Sequence, residues 1–544
     1  MGLFEKESDV ERGKSHDSVA TTDIGVGYVT SDNAITAAAF TSGNSIYAKA
    51  QRIAGKLGVE QRGIERVPEA EKTDTSMSHA GTLWLSANLA VTTFAVGVLA
   101  IPLFNLNFVS SALVIIFMNT LGILPVCFFS TFGPKFGLRQ IVLSRFYFGY
   151  QGTKLSWSSV NVIVGTQLLH AINPNLPGWA GIVVIAVSTL LVCIFGYRII
   201  HVYERFAWIP VFIIFLVVLG VFVHSGDFDG GAGAMASDGD NTTATSKKEK
   251  AGAVLSFATA VFGSATGWCS LAADYTVYLR ADTPGWPVFL WTFAGLILPL
   301  CFAQLLGAAV ATATVANASY RDAYDGAGVG GLLARVLVPA LGGFGQFCLV
   351  ILALSVIAGN CPNLYSGSMS LQVLTPEKTA AAATITTGTG AGTVRTGIHS
   401  VPRFVWVFVS TVVYVAISIP GYDHFEAALE NFMLLIGYWL AAYEGVALTE
   451  HVVFRRCSMD PVVGYRPEGY DDPAWLPPGF AAIAAFLCGV VGAILGMAQT
   501  WYVGPIGRLC GGELGGDVGF ELAFFFTVAS YLPLRTWEKK RFGR

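Results

Sequence analysis

The stretch Gly359-Asn360-Cys361-Pro362-Asn363-Leu364-Tyr365-Ser366 interrupts an apolar run that begins near Leu341. Inside a bilayer every backbone polar group needs an internal partner, so spanning segments are mostly unbroken helices. A Gly and a Pro around two Asn side chains at that depth have two readings. One is a helix end, where Asn and Pro are ordinary boundary residues. The other is a discontinuous helix whose amides face a ligand. The rest of the chain decides between them.

The chain has 544 residues, of which 53% are hydrophobic and 13% charged. That charged share is about half the soluble average. Apolar segments run past the roughly 18 residues that mark a membrane span, so the bilayer is the expected surrounding of the chain. A net charge of −3 gives no case for nucleic-acid binding. The nine cysteines form no CxxC pair and no zinc spacing, and Cys127, Cys193, Cys301 and Cys488 lie inside apolar runs. They read as small hydrophobes, and no metal or cofactor is expected.

Residues 1–81 form a polar tail without an apolar core of signal-peptide length, so no cleaved signal is expected. Lys6 stands where a myristoylation motif needs Ser or Thr. Ile46, Ala50, Ile53, Ala54 and Leu57 recur at helical spacing with Lys49, Arg52 and Lys56 between them, which predicts a short amphipathic helix. The pattern then predicts an all-α polytopic membrane protein with twelve spans, at 82–104, 107–131, 150–172, 179–197, 207–224, 253–277, 286–310, 340–370, 403–420, 425–449, 478–498 and 518–534. Residues 82–449 hold ten of them, 450–477 form a loop, 478–534 carry two additional spans and 535–544 a short tail. The connections 225–252 and 371–402, rich in Gly, Ala, Thr and Ser, read as flexible linkers.

Lys and Arg crowd one set of loops, among them Lys135, Arg139, Arg145, Arg205, Arg280, Arg455 and Arg456, and also the C-terminal tail. The opposite set holds Lys247, Lys248, Lys250, Arg321, Arg335 and Arg508. This bias places both termini in the cytoplasm. The sequons at Asn241 and Asn317 both fall in loops assigned outside.

Four segments carry polar groups at membrane depth. The first span has Ser86, Asn88, Thr92, Thr93 and Gly97, with close helix packing as the alternative to a site. The third places Trp157 and Asn161 four apart on one face. A mid-span Asn is costly unless paired; it either bonds another helix or, beside a flat ring, serves a heteroaromatic ligand. Trp157 also suits an interfacial anchor. In the sixth, Gly263 and Gly267 bracket small polar residues just before Trp268, which gives a kinked or broken helix. In the tenth, Glu444 lies well inside an apolar segment and is a proton-coupling candidate, a structural ion pair being the alternative. No Lys or Arg falls at a predicted span centre, which suits a neutral ligand, and there is no Walker-A sequence to support ATP-driven work. No nucleophile–base pair or metal cluster points to an enzyme.

These residues carry a resemblance. Phe132-Gly133-Pro134-Lys135-Phe136-Gly137-Leu138-Arg139-Gln140, with Ser144-Arg145 and Phe148-Gly149 after it, resembles a loop of the nucleobase-cation-symport-1 family. Gly267-Trp268-Cys269-Ser270, Asp274-Tyr275-Thr276-Val277-Tyr278, Pro362-Asn363-Leu364-Tyr365-Ser366 and Leu435-Ile436-Gly437-Tyr438-Trp439 are similar to its fungal purine-cytosine permease branch. The resemblance covers about residues 80–535. It implies a LeuT-like core of two inverted five-helix repeats, with helices 1 and 6 discontinuous and two extra helices. It implies import of cytosine, adenine, guanine and hypoxanthine with a co-transported proton at the plasma membrane. It implies substrate contacts from Ser86, Trp157, Asn161, Trp268, Asn360 and Asn363, shaped by Pro362 and Gly267. Gly359 departs from the pattern, since relatives often carry another Asn there.

The chemistry of these residues is consistent with that. Two indoles can stack on both faces of a base, about 1–3 kcal/mol per stack, and an Asn amide pairs a donor with an acceptor as base edges require. Two other readings stay open: a relative carrying uracil, allantoin or a vitamin such as thiamine, and a nucleobase-sensing receptor. A homo-oligomer is compatible with the sequence.

Overall fold

Leu83, Trp84, Phe94, Val98 and Leu99 are buried without trace of exposure, whereas Phe117, Val223, Leu298 and Phe525 lie on the outside. Large apolar side chains on both the inside and the outside are what a lipid-facing helical protein needs. In the computed structural model the described residues are 63–72, 74–150, 153, 178–231, 244–374, 384–387, 390–393, 403–421, 425–460, 464–512 and 515–544. All belong to one unit, Leu57–Arg544. The predicted amphipathic helix at 46–57, the third-span residues Trp157 and Asn161, and the sequon at Asn241 lie outside the described residues.

The chain is mostly helical. In order come α1 (Ser78–Asn88), α2 (Val91–Val98), α3 (Phe108–Ser130), α4 (Gly178–Phe195), α5 (Tyr197–Ser225), α6 (Ala244–Thr266) and α7 (Gly285–Ala316). Then follow α8 (Ala318–Leu341), α9 (Gly343–Leu354), α10 (Val356–Leu374), α11 (Arg403–Gly421), α12 (Phe425–Thr449), α13 (Phe480–Gly496) and α14 (Gly519–Phe542). Among the described residues six helices are long and apolar enough to cross a membrane, and α1 with α2 makes a seventh span bent by 57°. Shorter apolar helices lie at Ile185–Phe195, Phe404–Ala416 and Phe480–Gly496.

The predicted discontinuities fall as follows. The first span breaks at Leu89–Ala90, where Ala90 is extended at φ −136°, ψ 159°. The sixth changes character at Gly267, where α6 passes into a 3-10 segment, Gly267–Tyr275. The eighth differs from expectation. Helix α10 runs unbroken through Gly359–Ser366, and Ser355 between α9 and α10 keeps helical φ −59°, ψ −25°, so Gly343–Val373 makes one 31-residue span. Pro362 removes one backbone donor. The Asn363 side-chain amide folds back to donate to Gly359 O at 3.2 Å, and the Tyr275 hydroxyl donates to Pro362 O at 3.0 Å. The Asn and Pro residues thus sit inside a helix rather than at its end.

Two connections also differ from the linkers and loops expected. Helix α6 starts at Ala244, inside the stretch read as flexible. Helix α8 fills most of the loop after α7, capped by Asn317, whose carboxamide oxygen accepts from Ser319 N at 3.0 Å. The stretch 371–402 includes an antiparallel hairpin, Thr384–Thr387 with Gly390–Thr393.

Helix α7 is the post against which the broken first span leans. A Cβ on Gly97 would lie 1.9 Å from Gln304 O, one on Gly307 2.1 Å from Phe94 O, and one on Gly295 2.3 Å from Gly81 O. Glycine is the only residue that allows such backbone approach, the small-residue packing that bilayers favour. Gly97→Val should therefore force α2 off α7 and lose about 1–3 kcal/mol, seen as a lower melting temperature in detergent. Gly326→Ala, with nothing within 4 Å, should be silent.

Candidate functional site

The two helix breaks face each other. Asn88, the last residue of α1, lies 180 positions before Trp268, the second residue of the 3-10 segment. The Trp268 indole N–H donates to Asn88 Oδ1 at 2.8 Å, and the Asn88 amide donates back to Trp84 O at 2.9 Å. Trp84 closes against Trp268 edge to face, with centroids 5.3 Å apart. Each break is therefore held by the other rather than by solvent.

Between them lies a cavity of about 90 Å³. Its described lining includes Ala87 and Asn88 of the first break, Ser264, Gly267 and Trp268 of the second, and Gly359, Asn360 and Asn363 of α10. Leu429, Phe432 and Met433 of α12 supply an apolar wall. No Lys, Arg, Asp or Glu is among those lining residues. The Asn360 amide nitrogen is buried and has no hydrogen-bond partner among the described residues. An unspent donor beside an exposed indole face suits a neutral planar molecule with acceptors on its edge.

Of the residues expected here, Trp268, Asn360, Asn363 and Gly267 line the cavity. Pro362 lies one residue away and acts through its carbonyl bond to Tyr275. Ser86 is 1% exposed and sits next to the lining pair Ala87–Asn88, its hydroxyl toward Glu204 of α5. Trp157 and Asn161 fall outside the described residues. The sequence marks Asn88 only as a polar residue of the first span; Leu89–Ala90 after it contains no Gly or Pro, so the joint itself left no sequence signal. The departure at Gly359 also finds a place: a Cβ there would lie 3.0 Å from Ala87 O, so α10 and the first break approach closely at this point.

The support behind the cavity is polar and paired. Asn119 of α3 donates to Gln304 of α7 at 2.6 Å, and Gln304 donates to Ser264 at 3.2 Å. Glu444 of α12 is 3% exposed and accepts from the Thr266 hydroxyl, immediately before Gly267. The loop motif braces the far end of the same segment. Arg139 is wholly buried and donates to Asp274 O at 2.7 Å and to the Tyr365 hydroxyl at 2.9 Å. Gln140 N donates to Asp274 Oδ1 at 2.7 Å. That loop is itself covered by the segment before α1: Val67 N donates to Gly137 O at 2.8 Å and Lys72 Nζ to Pro134 O at 2.8 Å.

Comparison with solved structures gives the fold. The fold is that of Mhp1, a nucleobase-cation-symport-1 family transporter, closed with bromovinylhydantoin bound: TM-score 0.60, 15% identity, covering 89% of this chain and 96% of that one. The inward-facing form of Mhp1 matches with a TM-score of 0.57 at 14% identity, covering 89% and 96% of the two chains. Residues 66–519 match the family model described as permease for cytosine/purines, uracil, thiamine, allantoin, and the chain belongs to that family. It is a membrane permease and not an enzyme. Purine-cytosine permease fcyB of Emericella nidulans is 49% identical over 94% of this chain and 96% of its own length. Purine-cytosine permease FCY2 of Saccharomyces cerevisiae is 40% identical over 90% and 88%. Vitamin B6 transporter TPN1 of the same yeast is 31% identical over 90% and 89%.

The Asn88–Trp268 bond is open to test. Asn88→Ala strips the indole N–H of its acceptor and should cost about 1–3 kcal/mol, read as a five- to hundredfold loss of apparent uptake affinity. Asn88→Asp keeps the acceptor and should lose less. Equal affinities in all three proteins at matched surface abundance would remove the bond from the site.

Proposed function

We propose that this chain imports neutral nucleobases, namely cytosine, adenine, guanine and hypoxanthine, across the plasma membrane by proton symport. The observation that carries the reading is an uncharged cavity in which Trp268 stands beside Asn88, Asn360 and Asn363. It belongs to a chain about half identical to a purine-cytosine permease. The proposed architecture is twelve spans, ten of them in two inverted five-helix repeats, with both termini cytoplasmic. Trp157 and Trp268 stack on the two faces of the base, while Asn161, Asn360 and Asn363 read its edge. Glu444 is the candidate for proton coupling. Its carboxyl holds Thr266 at the head of the broken segment, so a proton gained there would alter the joint that carries Trp268.

Accumulation of labelled cytosine in permease-deficient cells tests the reading, and failure to accumulate any base would favour a receptor. Competition with unlabelled uracil, allantoin, thiamine and pyridoxine tests the vitamin and uracil alternative, which the likeness to a vitamin B6 transporter keeps in view.

Proton coupling sets a further expectation. Uptake should rise as external pH falls and collapse with a protonophore, while replacing sodium does nothing; sodium-dependent uptake at constant pH would sink the proposal. Glu444→Gln should blunt the pH dependence, and an unchanged profile would withdraw that residue. For the stack, Phe at position 157 or 268 should keep part of the uptake and Ala should lose most of it. Cytosine and purines should weaken together, because stacking is tolerant of base identity. Near-normal affinity in both Ala variants at normal surface abundance would make the indoles packing residues.

A further inference from the structure

A second carboxyl lies buried against the other broken helix. Glu204 of α5 is wholly buried, and neither of its oxygens has a hydrogen-bond partner among the described residues. Its polar neighbour is Ser86 of α1, whose next two residues, Ala87 and Asn88, line the cavity. No Lys, Arg or His is paired with it among the described residues. Among the described residues the titratable groups facing it are Tyr203 on its own helix and Cys361 on α10, and both are neutral at ordinary pH. A lone carboxylate in such a place is costly as an anion, and a neutral one gives up its proton only when a path opens.

The path runs down the same helix. His201 is one turn before Glu204, so the two side chains share a face. The His201 side chain is half-buried, and its buried Nε2 has no hydrogen-bond partner among the described residues. Its centroid lies 6.0 Å from that of His79 in the first turn of α1, a gap that ring edges and one water can span. Tyr197 packs on it at 4.1 Å, and Arg139 and Tyr275 are its other charged or titratable neighbours. His79 Nδ1 is 3.0 Å from Asp74 Oδ1, and both side chains are partly exposed. Asp74 N is bonded to Tyr278 O, among the connections that the Lys and Arg bias assigns to the cytoplasm.

We infer that Glu204 carries the transported proton and that His201, His79 and Asp74 form its exit to the cytoplasm. This rests on the symport reading above. The Glu204 carboxylate takes one proton as the base enters. It then yields that proton to His201 Nε2, the imidazolium passes one on to His79, and the Asp74 carboxylate holds the charge on His79 until water takes it. No bond other than O–H and N–H forms or breaks. Ser86 lies beside the carboxyl, and a base held against Asn88 fixes the turn on which Ser86 sits. Glu204 thus adds a coupling group that reading the apolar pattern of α5 did not single out.

The test compares wild type, Glu204→Gln, Glu204→Asp and His201→Asn for labelled cytosine uptake over a range of external pH, with counterflow exchange alongside. Glu204→Gln should still exchange labelled for unlabelled cytosine but accumulate it at least tenfold less, with a flat pH profile. Glu204→Asp should recover a sloped profile with a displaced midpoint, and His201→Asn should slow net uptake more than exchange. A Glu204→Gln protein that accumulates cytosine with the wild-type pH profile overturns the inference. Should that variant not reach the surface, wild-type profiles in both Glu204→Asp and His201→Asn overturn it equally. If wild-type uptake is itself independent of pH and protonophore, the symport reading has failed; a pH-dependent wild type with an equally pH-dependent Glu204→Gln removes Glu204 alone.

Discussion

The hydrogen bond from the Trp268 indole to Asn88 joins the two places where the main chain departs from regular helix. A helix that breaks inside a bilayer exposes backbone groups with no water to take them, and they must be answered by other protein groups. Here each break answers the other. Asn88 returns a bond to its own helix through Trp84 O, and the Trp84 ring closes on Trp268. The cavity exists because two irregular segments were brought face to face and left a space between them.

Around that joint the structure spends its close contacts on fixing backbone positions. Glycines along the α1, α2 and α7 contact let main chains touch. The Asn119–Gln304–Ser264 series links α3, α7 and α6 behind the cavity. At the far end of the 3-10 segment, Arg139 and Gln140 hold Asp274. The loop motif therefore does not touch the cavity; it anchors the segment that carries Trp268. Buried polar groups of this kind are costly if half satisfied and rigid when complete, which suits elements that must keep their geometry while neighbouring helices move.

The two buried carboxyls occupy comparable situations. Glu444 is engaged, accepting from Thr266 beside the second break. Glu204 is buried near the first break with neither oxygen hydrogen-bonded among the described residues. Burial raises the cost of charge for both, and among the described residues a donor offsets it at Glu444 and not at Glu204. That difference separates a carboxyl tied directly to a joint from one whose two oxygens are unbonded among the described residues.

The sequence by itself determined the class of fold, because the bilayer imposes a length and an apolarity that can be counted along the chain. It also located the weak points: glycines and small polar residues at Gly267 and in the first span could not sit in lipid as plain helix. It expected an eighth-span break that the structure does not have, since Gly359–Ser366 has the composition of a helix end yet stays helical, with the Tyr275 hydroxyl bonded to Pro362 O. The Tyr275 hydroxyl reaches it from 87 residues away, a contact that local propensity does not contain. Only the tertiary structure paired Asn88 with Trp268 across 180 residues and turned Ser86 toward Glu204. Apolar periodicity tells which residues a span buries; which buried polar groups meet is decided by how the spans pack.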